Sequence, residues 1–380
     1  MMRALARSVV REALLRRPVE TYEPDTRQVV LIRPDHLGDL LFVRPALKRF
    51  REQMPGWRIT LMIGPWSRAI VARDTNVDEI ITFPFPGFTR AHAGDPTEPY
   101  RLLFEAARLI RERRPAAVVV LRDDHWWGAL AARQSGAPIV AGSDLPVMQQ
   151  LVTDHASVDR LHAVARNCAV LDAAARRLGR AVELPPVDAA HAPLIWEIDD
   201  QDRQRASRLL AEHAVDRRFV VIHPGSGARV KLWPAERWAR VAERIVDAGY
   251  AVVLTGSNSE RPLLRRIDAL ARCPLPTLGG ETTIRELAAV FEQSIAVLGV
   301  DSGPLHLAVA TGRPTIHLYG PSDTVTYGPW GDPSRQRVIR VAMTCPACGN
   351  LDPGRPEGSG CMLAIGESTV FETFCRLVTT

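Results

Sequence analysis

The stretch VVLIRPDHLGD, residues 29–39, joins a run of apolar and β-branched residues to a turn and to the start of an amphipathic helix. A second stretch of the same kind, FVVIHPGSGARVKLWP, occupies residues 219–234. Short apolar runs that alternate with longer amphipathic segments are typical of a parallel sheet covered by helices. Each stretch therefore predicts the first strand of an α/β unit, and we expect two such units.

Similar apolar runs follow each stretch and predict the remaining strands. In the first unit the predicted strands are residues 29–33, 57–64, 79–83, 116–122 and 138–142. In the second unit they are residues 219–223, 251–255, 295–300 and 315–319, with an edge strand at 335–342. Helices are predicted, among other places, over residues 195–214 and 368–378.

The length of the chain favours two domains. A single core seldom organises as many as 380 residues, and a segment rich in Pro and Ala, residues 184–193, separates the two sets of strands. The predicted parts are a basic N-terminal extension over 1–25, a first Rossmann-like domain over 26–190, a second over 191–345, and a Cys-containing loop with a C-terminal helix over 346–380.

The composition is typical of a soluble globular protein. Charged residues make up 24% of the chain, and no apolar run is long enough to cross a bilayer. Six cysteines without an export signal favour the cytoplasm. The net charge of +5 favours anionic partners, but the arginines are spread widely, so nucleic acid is not expected. The basic extension predicts either peripheral contact with the inner face of the cell membrane or a solvated terminus.

Asp39 follows Gly38 at the point where the first strand gives way to a helix. Gly38 is expected to allow a tight turn. A carboxylate at the start of a helix is commonly a cap. The functional interpretation is a general base that takes a proton from an acceptor hydroxyl. Both interpretations fit the position, because open parallel sheets bind ligands beyond the carboxyl ends of their strands.

Small residues follow the first strand of the second unit, where Ser226 lies among glycines and Lys231 supplies a positive charge. Backbone amides in such a turn can approach a phosphate. The spacing matches neither a P-loop nor the dinucleotide fingerprint, so an ordinary turn is the alternative. Glu260 follows a later strand and is either a ribose contact or an ordinary first-turn acid.

Asp301 ends another predicted strand, and Ser302 opens the helix that follows it. The backbone amides of Ser302, Gly303 and Leu305 are expected to be free and to form an anion site at the positive end of this helix. The alternative is a structural helix against which His306 is simply packed.

Taken in order, these motifs resemble glycosyltransferase family 9, the heptosyltransferases of the lipopolysaccharide inner core. The resemblance runs over residues 29–346. Its most specific part is GVDSGPLHLA at 299–308, continued by GRP at 312–314 and YGPSD at 319–323. The other motifs are GD at 38–39 with PAL at 45–47, HAV at 162–164 with RN at 166–167, and HPGS at 223–226 with KLWP at 231–234.

The resemblance implies the GT-B fold, an α/β architecture of two Rossmann-like domains whose parallel sheets face a central cleft, with the C-terminal helix returning to the first domain. It implies an inverting, metal-independent enzyme without a cofactor, which moves a heptose from a nucleotide sugar such as ADP-heptose to a lipid-linked glycan. Asp39 would be the catalytic base. The donor would be bound by Ser226, Lys231, Glu260, Asp301, Ser302, Gly303 and His306.

Two segments depart from the family. The sequence RDDHWW at 122–127 matches no acceptor pattern, so Gly38, Arg122 and Asp123 are candidates for acceptor contacts without support from the resemblance. The tail carries Cys345, Cys348 and Cys361. We interpret them as free thiols; a zinc site, with Cys375 as the evident fourth ligand, is the alternative.

Two other functions fit the same motifs. One is a transferase of the same fold that uses another nucleotide sugar and another envelope glycan. The other is a non-catalytic nucleotide or polyanion binder, which the basic balance of charge favours. A binder has no need of a base, so the presence of Asp39 argues for the enzyme.

Overall fold

The computed structural model describes residues 12–24, 27–88, 95, 97–180, 185–215, 217–346, 348, 351 and 358–379. The chain divides into two compact units, Met1–Ala192 and Pro193–Thr380. Much of the predicted basic extension, residues 1–11 and 25, lies outside the described residues, as do residues 352–357 of the Cys-containing loop. Among the described residues, no helix is both long and apolar enough to span a bilayer.

The first unit contains one parallel sheet. Its strands are β1 (Gln28–Arg33), β2 (Arg58–Ile63), β3 (Glu79–Thr82), β4 (Ala117–Val120), β5 (Val140–Ser143) and β6 (Asp154–Ala156). Its helices are α1 (Leu37–Gln53), α2 (Arg68–Val71), α3 (Glu98–Arg111), α4 (Trp126–Gln134) and α5 (Ala163–Arg177). All six residues of β1 are buried, as expected for a strand in a sheet that helices cover on both faces.

The strand order of this sheet, β3-β2-β1-β4-β5-β6, reverses direction between β1 and β4. Ligands of open α/β sheets bind beyond the carboxyl ends of the strands at such a switch point. Strand β1 leads into α1, which carries Asp39, and β4 leads towards α4 through Arg122. The topology therefore places both candidate residues at the switch point of the first sheet.

The second unit contains a five-stranded parallel sheet. Its strands are β7 (Phe219–His223), β8 (Ala251–Leu254), β9 (Val297–Val300), β10 (Thr315–Leu318) and β11 (Gln336–Ile339). Its helices are α6 (Asp200–Glu212), α7 (Ala235–Asp247), α8 (Arg261–Leu270), α9 (Ile284–Gln293), α10 (Gly303–Ala310), α11 (Thr324–Tyr327), α12 (Gly360–Leu363) and α13 (Glu367–Thr379). The order β11-β10-β9-β7-β8 places the switch point between β7 and β9.

The C-terminal helix α13 belongs to the second unit, and its expected return to the first domain is wrong. Val370, Phe374 and Leu377 are buried in the core that β7–β10 and α7 form. Trp233 extends this anchoring, because its Nε1 donates to the carbonyl oxygen of Ile365 at 3.2 Å. Burial of apolar surface is favourable, and the second core provides the apolar contacts for this face of α13.

The predicted elements match the observed ones except in short or polar segments. The helix expected over residues 195–214 begins at Asp200, because Asp199 and Asp202 form a capping box that sets its first turn. Strand β6, with the sequence DHA, was not predicted, since it has no apolar run and pairs only with β5. Helix α1 continues through Pro45 to Gln53.

Candidate active site

Asp39 lies in the first turn of α1, just beyond the carboxyl end of β1. The N-cap position is held by His36, so Asp39 is not the cap residue. Its Oδ1 accepts a hydrogen bond from Nη2 of Arg33 at 3.3 Å, and 34% of its side chain is exposed. Asp39 is therefore a carboxylate that is held by a cation and is accessible from solvent, as a general base must be.

The tight turn predicted at Gly38 is not present. Gly38 is the second residue of α1, and its φ lies outside the left-handed region. The preceding residues make the turn, where Ser67 Oγ and Trp66 Nε1 donate to the carbonyl oxygen of Asp35 at 2.6 and 3.1 Å. These side chains hold the entry to α1, so the turn does not require the backbone freedom of a glycine.

Arg33, the last residue of β1, is a buried cation beside Asp39. Its Nε lies 2.7 Å from Oδ2 of Asp35. Its Nη1 donates to the carbonyl oxygen of Leu121 at 2.5 Å and to Oδ1 of Asn167 at 3.3 Å. A guanidinium with this many partners has a fixed orientation. The sequence motifs do not assign a role to Arg33. Its position, a charged residue at the end of an apolar strand, is the sequence signal that could have identified it.

Asp35 is nearly inaccessible and contacts two guanidinium groups, those of Arg33 and Arg122. Burial alone raises the pKa of this carboxyl, but the charges of Arg33 and Arg122 outweigh that effect and hold the pKa below its usual range. Asp35 is therefore ionised at neutral pH, and it shares the charge of Arg33 with Asp39.

The two acceptor-side candidates after β4 have different partners. Arg122 contacts Asp35, and its Nε lies 2.6 Å from Oδ1 of Asp124. Asp123 instead accepts a hydrogen bond from Nη1 of Arg166 at 2.6 Å. The structure therefore brings Arg122 into the cluster around Asp35 and places Asp123 in a separate ion pair.

An aromatic cluster follows Arg122. The ring of His125 is buried among Phe85, Phe88 and Trp127, with centroid separations of 5.6, 5.7 and 6.1 Å. Burial lowers the pKa of His125 to about 3, so this histidine is neutral at physiological pH. The Arg122 guanidinium lies 5.2 Å from the centroid of the Phe88 ring. The cluster therefore combines a cation with an apolar surface.

In the second unit, Lys231 forms an ion pair with Asp301. Lys231 ends the 3-10 turn Arg229–Lys231 after β7, and its Nζ lies 2.7 Å from Oδ2 of Asp301. Oδ1 of Asp301 lies 3.6 Å from Nε2 of His306, and Ser226 Oγ donates to the Asp301 carbonyl oxygen at 3.4 Å. The structure therefore brings four of the predicted donor residues together at the switch point of the second sheet.

The electrostatics of this cluster keep Asp301 ionised. Burial alone raises the pKa of Asp301, but the nearby His306 and the charge of Lys231 outweigh it, so the pKa lies well below its usual range. His317, whose ring lies 5.8 Å from that of His306, has its pKa lowered to about 3 by burial and is neutral. Neutral His317 therefore adds no positive charge to that of Lys231 in this cluster.

The start of α10 forms only part of the predicted anion site. Ser302 is the N-cap residue and Gly303 the first residue of α10. The amide of Leu305, expected to be free, donates to the carbonyl oxygen of Ser302 at 3.1 Å and is therefore not available to a ligand. The amides of Ser302 and Gly303 precede the helical hydrogen-bond ladder, so they are the ones placed to bind an anion.

Glu260 has a structural partner as well as a position near the donor residues. Its Oε2 accepts hydrogen bonds from the amide and the hydroxyl of Ser257, at 2.6 and 2.8 Å, in a capping box. Its carboxylate also lies against Gly225, where a Cβ would come within 1.9 Å of Oε1. Gly225 is therefore needed for the close approach of Glu260 to the loop that contains Ser226.

Three cysteines converge at the end of the second unit. The sulfur atoms of Cys345, Cys348 and Cys361 all lie within 4.8 Å of one another. Cys375 packs beside the second core and is not among them, so its expected role as the fourth ligand is wrong. Within the part of the chain that the structure describes, this is the one group of His, Cys, Asp or Glu residues spaced for a metal ion.

Comparison with known proteins places the chain in a family. The model of glycosyltransferase family 9 (heptosyltransferase) matches residues 106–350. The chain is 25% identical to lipopolysaccharide heptosyltransferase 3 of Escherichia coli K12 over 302 residues, 77% of this chain and 82% of that protein.

Two solved structures share the fold. A family 9 glycosyltransferase of Veillonella parvula matches with a TM-score of 0.74 and 24% identity, over 95% of this chain and 99% of its own. The ADP-heptose lipopolysaccharide heptosyltransferase II of E. coli matches with a TM-score of 0.70 and 22% identity, over 93% of this chain and 98% of its own. The predicted α/β fold of the GT-B type, with two Rossmann-like units, is confirmed. By the match to its family model, this chain belongs to glycosyltransferase family 9, the heptosyltransferases.

Proposed function

We propose that the protein is an inverting, metal-independent transferase that moves a heptose from ADP-heptose to a lipopolysaccharide core or a similar glycolipid. The names of the E. coli relatives support this donor and this acceptor class. The observation that carries the proposal is the division of groups between the units. One unit contains the accessible carboxylate of Asp39, and the other contains Lys231 and the amides at the start of α10.

Asp39 is the proposed base. Its Oδ1 lies 3.3 Å from Arg33, whereas Asp35 lies 2.7 Å from the same guanidinium. Because attraction between charges grows as they approach, the buried Asp35 takes the larger share of the Arg33 charge. Arg33 holds the orientation of the exposed Asp39 carboxylate, which is the group proposed to accept the proton of the acceptor hydroxyl. Arg122, which contacts Asp35 from the other side, is the proposed contact to a polar group of the acceptor.

Lys231 and the amides of Ser302 and Gly303 are the proposed stabilisers of the leaving ADP. The bond between the anomeric carbon and the phosphate oxygen breaks with its electron pair on the diphosphate, so positive charge is needed there. Asp301 holds Nζ of Lys231 from one side, at 2.7 Å, and leaves its other N–H groups for phosphate oxygens. Glu260, beside Ser226, is the proposed ribose contact.

The reaction follows as one displacement. The acceptor oxygen bonds to the anomeric carbon as the bond to the diphosphate breaks, and the proton of the acceptor passes to Asp39. A single displacement inverts the configuration at that carbon. Protein cations and helix amides neutralise the leaving group, so this step needs no metal ion.

Replacing Asp39 by Asn tests the role of the base. The carboxamide keeps the shape but cannot take the proton, so we expect the transfer rate to fall by about 10²- to 10⁴-fold while ADP affinity stays within about twofold. The measurement is the single-turnover rate with ADP-heptose and heptose-deficient lipopolysaccharide, with product detected by mass and ADP affinity by calorimetry.

The matched control is Asp78→Asn. Asp78 is also paired with an arginine, Arg51 in the last turn of α1, but lies outside the candidate site. This variant should retain nearly the wild-type rate. Full activity in Asp39→Asn would contradict the assignment of the base, whereas an equal loss in both variants would indicate a general defect of the first unit.

The donor is tested separately, by thermal stabilisation with ADP-, GDP-, UDP- and dTDP-sugars. A ligand that binds the native state raises the Tm, and we expect ADP-heptose to give the largest increase. A larger increase with another nucleotide sugar would contradict the proposed donor and favour the same-fold transferase of different specificity. Donor binding without transfer to any envelope glycan would favour the non-catalytic binder.

A further inference from the structure

The three converging cysteines lie in the segment that follows β11. Sγ of Cys345 is 3.7 Å from Sγ of Cys348 and 3.4 Å from Sγ of Cys361. None of the three is in a disulfide in the structure. The segment between Cys348 and Cys361 contains neither Cys nor His. Three sulfur atoms, two from the turn at Cys345 and Cys348 and one from helix α12, therefore lie close together.

The spacing of the sulfur atoms fits a bound metal ion. Zinc binds cysteine sulfur at about 2.3 Å with tetrahedral angles, which places two sulfur ligands about 3.8 Å apart. The Sγ–Sγ distances from Cys345 to Cys348 and to Cys361, 3.7 and 3.4 Å, lie close to that value. Cys345 and Cys348 also have the two-residue separation that is common among pairs of zinc ligands.

The backbone around the pair is arranged as a turn that favours thiolates. The amide of Cys348 donates to the carbonyl oxygen of Cys345 at 2.9 Å and closes the turn. The amide of Cys345 donates to Sγ of Cys348 at 3.4 Å. A backbone N–H that points at sulfur stabilises its charged form, which is the form that binds metal.

Cys345 and Cys361 are buried beside the turn that carries Lys231. Cys345 and Cys361 pack against Val230, with Ala228 at the edge of the same apolar cluster. The amide of Gly358 donates to the carbonyl oxygen of Arg229 at 3.1 Å. The residues that flank the thiols are therefore joined to the turn that ends at Lys231.

We propose that Cys345, Cys348 and Cys361 supply three ligands of a structural Zn²⁺ ion, and that the ion fixes the loop after β11 against the turn Arg229–Lys231. The three thiols release their protons to solvent when the metal binds, and no electron is exchanged. The ion contributes folding free energy to the second unit and takes no part in the transfer reaction, so this site is independent of the proposed donor and acceptor.

Metal analysis of the full chain, purified without chelators, tests the site. We expect about one zinc per chain by mass spectrometry of the metals. Cys348→Ser, which changes the exposed ligand, is expected to lower the zinc content at least tenfold after dialysis. Cys273→Ser and Cys375→Ser change thiols outside the cluster and should leave the zinc content unchanged.

A second measurement does not depend on the folding of a variant. Titration of the wild-type chain with a thiol reagent should release zinc in step with modification of the three cysteines, followed with a zinc-sensitive dye. The apo protein reloaded with Co²⁺ should show the charge-transfer absorption of thiolate-bound cobalt, and removing the metal should lower the Tm.

Three results would overturn the proposal. A wild-type chain that contains no metal and reacts as three free thiols would show that the cluster is only a packing contact. A disulfide between two of the three cysteines, detected by mass under non-reducing conditions, would show a redox pair. Iron in place of zinc in the purified chain would overturn the assignment of the ion.

Discussion

At the scale of single residues, the contrast between arginine and lysine separates the two candidate binding regions. Of the 48 basic side chains, only Lys48 and Lys231 are lysines. Arg33 has a planar fork and can hold Asp35 and Asp39 together, whereas the ammonium of Lys231 contacts a single carboxylate. The compact ammonium retains N–H groups that a diphosphate can use. Lysine at 231 therefore suits a site that must bind and release an anion.

The scarcity of lysine makes the role of Lys231 directly measurable. Saturating ADP, at about ten times its Kd, should slow acetylation of Lys231 by an amine reagent about tenfold, because bound diphosphate occupies its Nζ. Lys48, exposed on α1, should react at the same rate with and without ADP and is the internal control. Peptide mass spectrometry measures both rates. Equal labelling of Lys231 in the two conditions would exclude contact with the diphosphate.

The depressed pKa of Asp301 predicts a pH-dependent contribution to stability. The folded-state pKa lies well below the ordinary value of 3.8, so the contribution is fully present above 3.8 and is lost progressively as the pH falls from there to the folded-state pKa. Asp301→Asn should therefore lower the free energy of unfolding most at about pH 7 and progressively less below about pH 4.

Urea unfolding of wild type and Asp301→Asn across this pH range measures the difference. Asp200→Asn is the control, since the Asp200 side chain is 93% exposed and should matter little at any pH. A difference between wild type and Asp301→Asn that stays constant with pH would show that the Asp301 carboxyl is not ionised preferentially in the folded state.

At the scale of elements, α13 is the part of the tail that stabilises the second unit. Its buried side chains Val370 and Phe374 join the second core, and the guanidinium of Arg244 on α7 lies 4.1 Å from the ring centroid of Phe371. Glu367 at the first turn of α13 pairs with Arg240 of α7 at 2.6 Å. Helix α13 is therefore fastened to α7 by an apolar face and by ionic contacts at its edge.

Phe374→Ala tests this anchoring. Removing a fully buried phenylalanine should lower the free energy of unfolding of the second unit by about 3 to 5 kcal/mol, through lost burial and the cavity that remains. Leu363→Ala, at a position 47% exposed on α12, should cost less than about 0.5 kcal/mol. Chemical denaturation compares the two. Equal, small effects would show that α13 is not part of the core.

At the scale of the whole molecule, each unit has its own sheet and its own apolar core. One core is built around β1 and β4, and the other around β7 and β9. The proposed donor residues Ser226, Lys231 and Asp301 all belong to the second unit. The proposed nucleotide-binding residues and the proposed base therefore belong to different parts of the chain.

Residues 193–380, expressed alone, should fold cooperatively and bind ADP within about tenfold of the affinity of the full chain, because a unit with a complete core folds independently. Residues 1–192 should fold but not bind ADP. Calorimetry and urea unfolding of both fragments test this. ADP binding by the first fragment, or its absence from a folded second fragment, would contradict the assignment of donor residues.

Most of the secondary structure and the family could be predicted from the amino-acid sequence alone. Apolar periodicity located nine of the strands, β1–β5 and β7–β10, as well as the edge strand β11, because buried parallel strands must be apolar on both faces. Ordered motifs with fixed spacing led to the family, which the match over residues 106–350 establishes. The roles of Asp39 and Lys231 follow from the same motifs and remain predictions.

The groups that share a site could not be predicted in the same way, because they come together only in the folded chain. Arg33 and Asp35 contact groups that follow β4 because β1 and β4 are adjacent in the sheet. The amide of Leu305 is not available to an anion because it donates to a carbonyl oxygen in its own turn. The partner of α13 and the convergence of Cys345 with Cys361 likewise depend on contacts between distant segments. Apolar periodicity and motifs reflect the interactions of each residue with its neighbours in the sequence. Charge sharing, burial and metal spacing depend on distances that exist only after the chain has folded.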